Sequence, residues 1–167
     1  MIDVLVIRHG IAVLREDAER FGLADENRPL TGEGRAKMKR NARGIARRVP
    51  DVTALFSSPL RRAVETAELL ESAYSDLEHV ETDALVPDAP VEAVLPFLRG
   101  TSAEGCIAVV GHEPQLSAFV GHCLTGSPRS FVELKKGGAC LIRFEEDLTP
   151  GGGRLSWLLT PKVLRKL

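Results

Sequence analysis

Residues 3–10 read Asp-Val-Leu-Val-Ile-Arg-His-Gly, and they constrain the fold more than any other stretch. Val4, Leu5, Val6 and Ile7 are consecutive aliphatic residues without a helical stripe, the pattern of a strand buried on both faces, as in a parallel sheet. The run stops at Arg8-His9-Gly10, where a guanidinium and an imidazole emerge at the strand's carboxyl end and a glycine permits a sharp turn. In open α/β sheets this edge is where ligands bind. The stretch therefore reads as a phosphoryl-accepting nucleophile, His9, with Arg8 beside it to hold a phosphate.

The remaining chain supplies more strands of the same kind. Val52–Phe56 is a second buried strand, followed by Ser58 as an N-cap and Pro59 at the first position of a helix running to about Tyr74. Leu77–Val80 reads as a short third strand. Cys106–Val110 is a fourth, ending in Gly111-His112-Glu113-Pro114, with Pro114 opening a helix to about Leu124. Between the first and second strands, Gly10 to Leu30 shows no periodicity and reads as a long functional loop. Thr31 then caps a helix from Gly32 to about Val49. Val91–Leu98 reads as a short helix interrupted by Pro96. Gly138–Phe144 and Leu155–Leu159 alternate as strands, and their link is too short for a helical crossover, so they form an antiparallel addition at the sheet's edge.

With 167 residues, one domain spanning 1–167 is expected, with 44% hydrophobic and 27% charged residues indicating a soluble protein. A net charge of −1 gives no case for general nucleic-acid or membrane binding. The basic residues of 32–49 have no interleaved aromatics and read as a solvated helix face. No run reaches the ~18 apolar residues of a membrane span. The first residues already belong to the core strand, so no leader is expected, and the setting reads as cytoplasmic. Cys106, Cys123 and Cys140 are odd in number and lack metal-type spacing; they read as reduced core residues. His79 and His122 read as structural.

Three strand ends thus present Arg8-His9, Arg61-Arg62 and His112. If the strands are parallel neighbours, these groups converge on one point suited to a tetrahedral dianion. Adjacent helical residues point about 100° apart, so only one of Arg61 and Arg62 can aim there. Neighbouring arginines, and the lack of a carboxylate or cysteine cluster at ligand spacing beside either histidine, argue against a metal.

Arg8-His9-Gly10 after a buried strand, Ser58-Pro59-Leu60-Arg61-Arg62-Ala63 at a helix start and Gly111-His112 after a later strand together resemble the histidine phosphatase (phosphoglycerate-mutase-like) superfamily. The short chain and Arg28-Pro29-Leu30-Thr31 followed by Gly34 are similar to its SixA-type phosphohistidine phosphatases. The resemblance implies a three-layer α/β/α sandwich with a mostly parallel central sheet and an antiparallel edge strand. It implies transient phosphorylation of His9, phosphoryl binding by Arg8, Arg62 and His112, Arg28 as a candidate substrate contact, and no metal or cofactor. The expected substrate is a phosphorylated protein in signal transduction, a histidine phosphotransfer domain being one candidate. A small-molecule phosphomonoester phosphatase or mutase, and a phosphate-binding module without turnover, are the alternatives. The mutases' Glu-centred proton-donor pattern is missing from Leu85–Pro90, which favours a phosphoramidate substrate, since its ring can already carry the leaving proton. Asp88 and Glu113 are the remaining candidate donors.

Overall fold

Strand β1 (Ile2–Arg8) has neighbours on both sides and helices on both faces, as its unbroken aliphatic run requires. In the computed structural model, which describes residues 1–167, Val4, Leu5, Val6 and Ile7 are all fully buried. Burial of this order stabilises by roughly 1.5–3 kcal/mol per side chain before entropy is subtracted. After β1 come α1 (Arg15–Arg20), α2 (Gly32–Arg48), β2 (Val52–Ser57), α3 (Arg61–Glu71), β3 (His79–Glu81) and α4 (Val94–Gly100). The chain continues with β4 (Gly105–Gly111), α5 (Gln115–Thr125), β5 (Ala139–Phe144), β6 (Gly153–Leu159) and α6 (Pro161–Leu164).

The six strands form one sheet in the order β3-β2-β4-β1-β5-β6. The first four are parallel; β5 runs against β1, and β6 against β5. Side chains alternate between two cores. Leu5 and Ile7 meet Met38, Ile45 and Leu70 from α2 and α3 on one face. Val4 and Val6 meet Leu95, Leu98 and Phe119 from α4 and α5 on the other. The fold is therefore a helix–sheet–helix sandwich with a mostly parallel sheet, and no helix is long and apolar enough to cross a membrane. Cys106, Cys123 and Cys140 are free and buried.

Residues 10–30 are more ordered than their composition suggests. They contain α1, a 3-10 turn at Asp25–Asn27 and a bridge between Ala12 and Leu30. The segment is pinned from outside, because the Leu30 amide donates to the buried Glu65 carboxylate at 2.7 Å. Thr31 caps α2 as expected, accepting from the Gly34 amide at 2.9 Å.

The start of α3 differs from the sequence reading. Ser58 is not the N-cap and Pro59 is not helical; Leu60 is the cap and the helix begins at Arg61. The physical reason is tertiary. The Ser58 amide donates to the Val110 carbonyl at 3.0 Å, holding Ser58 extended, and its hydroxyl accepts from the Leu60 amide two residues on. The helix ends at Glu71 rather than Tyr74, since Ala73 and Tyr74 tighten into three-residue turns. The third strand is shifted to His79–Glu81. The 91–98 helix is a 3-10 turn, Val91–Ala93, joined to α4, where Pro96 sits in the first turn and removes no intrahelical bond. Pro114 caps α5 and lies just outside it.

Short α6 packs on α2 because α2 carries a glycine there. A Cβ at Gly44 would stand 1.9 Å from the Leu164 carbonyl oxygen, so only glycine permits this approach.

Candidate active site

The carboxyl ends of β1, β4 and β2 are adjacent, and they bring His9, His112 and Arg62 to one place. Val6–Arg8 pairs in register with Val109–Gly111, and Ser57 of β2 lies opposite Val110. The His9 amide continues the ladder, donating to the Gly111 carbonyl at 3.2 Å. From the other side, the Gly137 amide is shared between the Arg8 and His9 carbonyls at 3.1 and 3.0 Å. The Gly10 amide donates to the Thr66 hydroxyl of α3 at 3.0 Å, and that hydroxyl donates to the Arg62 carbonyl at 2.7 Å. The turn after His9 is thus fixed to the helix that presents Arg62.

The His9 and His112 ring centroids lie 5.1 Å apart. His9 Nδ1 stands 2.7 Å from the Gly10 carbonyl oxygen. A carbonyl can only accept, so Nδ1 carries the proton and Nε2 keeps its lone pair. His9 is neutral over the physiological range, its pKa held well below 6.5. Burial is the largest cause, followed by His112, with Arg62 and Arg8 smaller. His112 is buried with neither ring nitrogen partnered, and its pKa falls to about 3, through burial first and Arg62 second.

These groups line a cavity of about 240 Å³. Arg8, Arg15, Arg28, Arg62 and Lys136 contribute cations to its wall, and Glu113 is the one carboxylate there. Arg62 is only 4% exposed, and its two terminal nitrogens donate to the Asp25 carbonyl (2.9 Å) and carboxylate (3.3 Å). The Nε atoms of Arg8 and Arg62 are buried without a partner. Arg61 points elsewhere, to Glu65 at 3.1 Å, so of the two adjacent arginines only Arg62 reaches the cavity. Arg28 lines the wall with its Nε on Asp25 at 2.9 Å.

Glu113 is half-buried, accepts from the Ser117 hydroxyl and has its carboxyl pKa raised by burial. Asp88 is exposed and does not line the cavity. No three His, Cys, Asp or Glu side chains are grouped so as to hold a metal. His79 is bonded to Glu71 at 2.6 Å, away from the site.

Sequence reasoning missed Asp25, Arg15 and Lys136. Asp25 links three arginines of the region: Arg15 at 3.1 Å, Arg28 and Arg62. Its only sequence signal was its place in an unusually long acidic and basic segment.

The family model for the histidine phosphatase superfamily (branch 1) matches residues 4–86, the span that carries Arg8-His9-Gly10 and Arg62. The chain belongs to the histidine phosphatase superfamily. A protein of Picosynechococcus sp. is 29% identical over 144 residues, 85% of each chain. The solved structure of the protein histidine phosphatase SixA complexed with tungstate is similar in fold, with a TM-score of 0.80 at 22% identity, covering 97% of this chain and 99% of that one. Phosphoserine phosphatase from Entamoeba histolytica, in complex with 3-phosphoglyceric acid, matches with a TM-score of 0.70 at 17% identity, covering 96% of this chain and 98% of that one. The superfamily match supports a phosphatase; the two solved neighbours are named for different substrates.

Proposed function

We propose that this histidine phosphatase is a cytoplasmic, metal-independent enzyme that removes the phosphoryl group from phosphohistidine on a protein, by way of a phosphohistidine formed on its own His9. The observation that carries the reading is the tautomer of His9, whose Nδ1–H is held on the Gly10 carbonyl. Its Nε2 lone pair is then free to attack phosphorus.

In the first step the Nε2–P bond forms as the substrate's N–P bond breaks. The departing imidazole already carries a proton on its other nitrogen, so the leaving group is neutral. Arg8, Arg62 and His112 surround the equatorial oxygens and stabilise the charge spread over them. In the second step water attacks phosphorus, the Nε2–P bond breaks, phosphate leaves and neutral His9 is restored. Arg28 contacts the substrate from the cavity wall. The SixA structure holding tungstate, a tetrahedral oxyanion, supports a phosphoryl site in this fold.

One feature favours a second reading, a small-molecule phosphomonoesterase. Glu113 lines the cavity with a raised pKa and could protonate an alkoxide leaving group. Side-by-side turnover of a phosphohistidine peptide, a sugar phosphate and an aryl phosphate, with and without chelator, separates the two. The phosphohistidine peptide should be hydrolysed fastest and without metal, and His9→Ala should abolish both turnover and the adduct trapped by an alkaline quench. Faster turnover of the esters would overturn the phosphohistidine assignment. Tight phosphate binding with no adduct would overturn catalysis altogether.

A further inference from the structure

The charges of this chain are sorted in space, although they nearly cancel. Helix α2 carries seven Lys/Arg and one Glu, and residues 161–167 carry three Lys/Arg and no acid. The rest of the chain holds 12 Lys/Arg against 22 Asp/Glu. Because α6 packs against α2 at Gly44, the two cationic segments form one surface. Within α2 only Arg35 and Lys37 meet a carboxylate. Lys39, Arg40, Arg43, Arg47 and Arg48 are exposed and unpaired, as are Lys162 and Lys166 of the carboxyl-terminal segment.

At Lys37 and Arg165 this surface reaches the neighbourhood of the catalytic cavity. A second cavity of about 190 Å³ adjoins it, with Lys136 in the wall of both. Lys37, Asn41 and Arg165 line the second cavity, leading from Lys136 onto the α2–α6 face. Its floor is tied to the nucleophile's strand. Asn41 donates to the Gly137 carbonyl at 2.9 Å, and the Gly137 amide holds the Arg8 and His9 carbonyls.

We infer that this groove and the α2–α6 face dock an acidic protein surface flanking the phosphorylated residue of the substrate. The inference rests on the phosphohistidine-protein reading above and adds what selects the protein. Unpaired cations beside a site for a phosphoryl dianion would repel a basic substrate and draw an acidic one. A protein fits better than a nucleic acid. On α2 and residues 161–167 the exposed large apolar residues are the aliphatic Val163 and Leu167. The exposed aromatics Phe21 and Phe131 belong to other segments, so these two segments offer no ring for a base to stack on.

The test uses two phosphohistidine peptides, one with several glutamates flanking the phosphohistidine and one with glutamines at those positions, together with an aryl phosphate. The wild-type protein should hydrolyse the glutamate peptide with kcat/KM about tenfold above the glutamine peptide. The ratio should collapse toward one near 1 M salt, where the screening length is roughly 3 Å. In the exposed-surface variant Arg40→Glu/Arg47→Glu/Lys166→Glu the ratio should fall to one or invert at low salt. Equal hydrolysis of both peptides by the wild type, or an undiminished ratio in the variant, overturns docking and leaves the phosphohistidine reading standing. Hydrolysis of the aryl phosphate with neither peptide turned over overturns both. A DNA oligonucleotide of matched charge that competes better than the glutamate peptide overturns the assignment to a protein partner.

Discussion

Acid should destabilise this protein through its active-site rings, and His112 allows the effect to be isolated. The ring is 2% exposed, neither nitrogen has a partner, and its pKa in the fold is about 3 against 6.5 when free. Below pH 6.5 the unfolded chain takes up a proton that the folded chain refuses, so stability falls as pH falls, until the folded ring also protonates near pH 3. At pH 5 the unfolded ring is 1.5 pH units below its ordinary pKa. At about 1.36 kcal/mol per unit, that one ring costs about 2 kcal/mol relative to pH 7. The figure depends on the unfolded value alone once the folded pKa is well below 5. Urea titrations at pH 7 and pH 5 of the wild type and His112→Asn provide the assay. Carboxylates contribute equally to both proteins and cancel in the comparison. The variant should lose about 2 kcal/mol less than the wild type across that interval. Equal losses in the two proteins would show that His112 titrates normally, and the account of a desolvated neutral ring would be wrong.

Three further outcomes follow from contacts described above. Arg62→Lys replaces a planar fork by a point charge and loses the paired contacts to Asp25, so kcat/KM should fall about 100-fold in steady-state assays while the melting temperature changes little. Glu65→Gln weakens the buried acceptor that holds the Leu30 amide and meets Arg35 and Arg61. A loss of about 1–3 kcal/mol in denaturant titration is expected, with faster proteolytic cutting within residues 11–30. Gly137→Ala places a Cβ 2.6 Å from Asn41 Nδ2 at a backbone φ of +77°, so a loss of at least ~2 kcal/mol is expected. Its turnover should drop as well, because the Gly137 amide positions the end of β1.

The parts of the site legible in the sequence were those carried by short stretches with a single physical reading. Val4–Ile7 and Cys106–Val110 are short apolar runs without a helical stripe, and a histidine follows each after one intervening residue. The convergence of His9, Arg62 and His112 then followed from parallel neighbours alone. Asp25, Arg15 and Lys136 were not legible, because their positions depend on how residues 10–30 and 131–138 fold back over the sheet. That folding is set by partners distant in sequence, such as Glu65 for Leu30 and Asn41 for Gly137. Ser58 shows the same limit in reverse. Its local sequence favours a helix cap, and a strand-like bond to Val110 overrides that preference.

Strand β1 is hydrogen-bonded along both edges, to β4 on one side and β5 on the other. Local fluctuations that fray outer strands or peel back α1 leave it intact, so its amides should exchange with deuterium only when the whole molecule opens. The His9 ring is therefore mounted on the slowest-exchanging part of the chain, while Arg28, which shares the cavity wall, is carried by the outer segment 10–30.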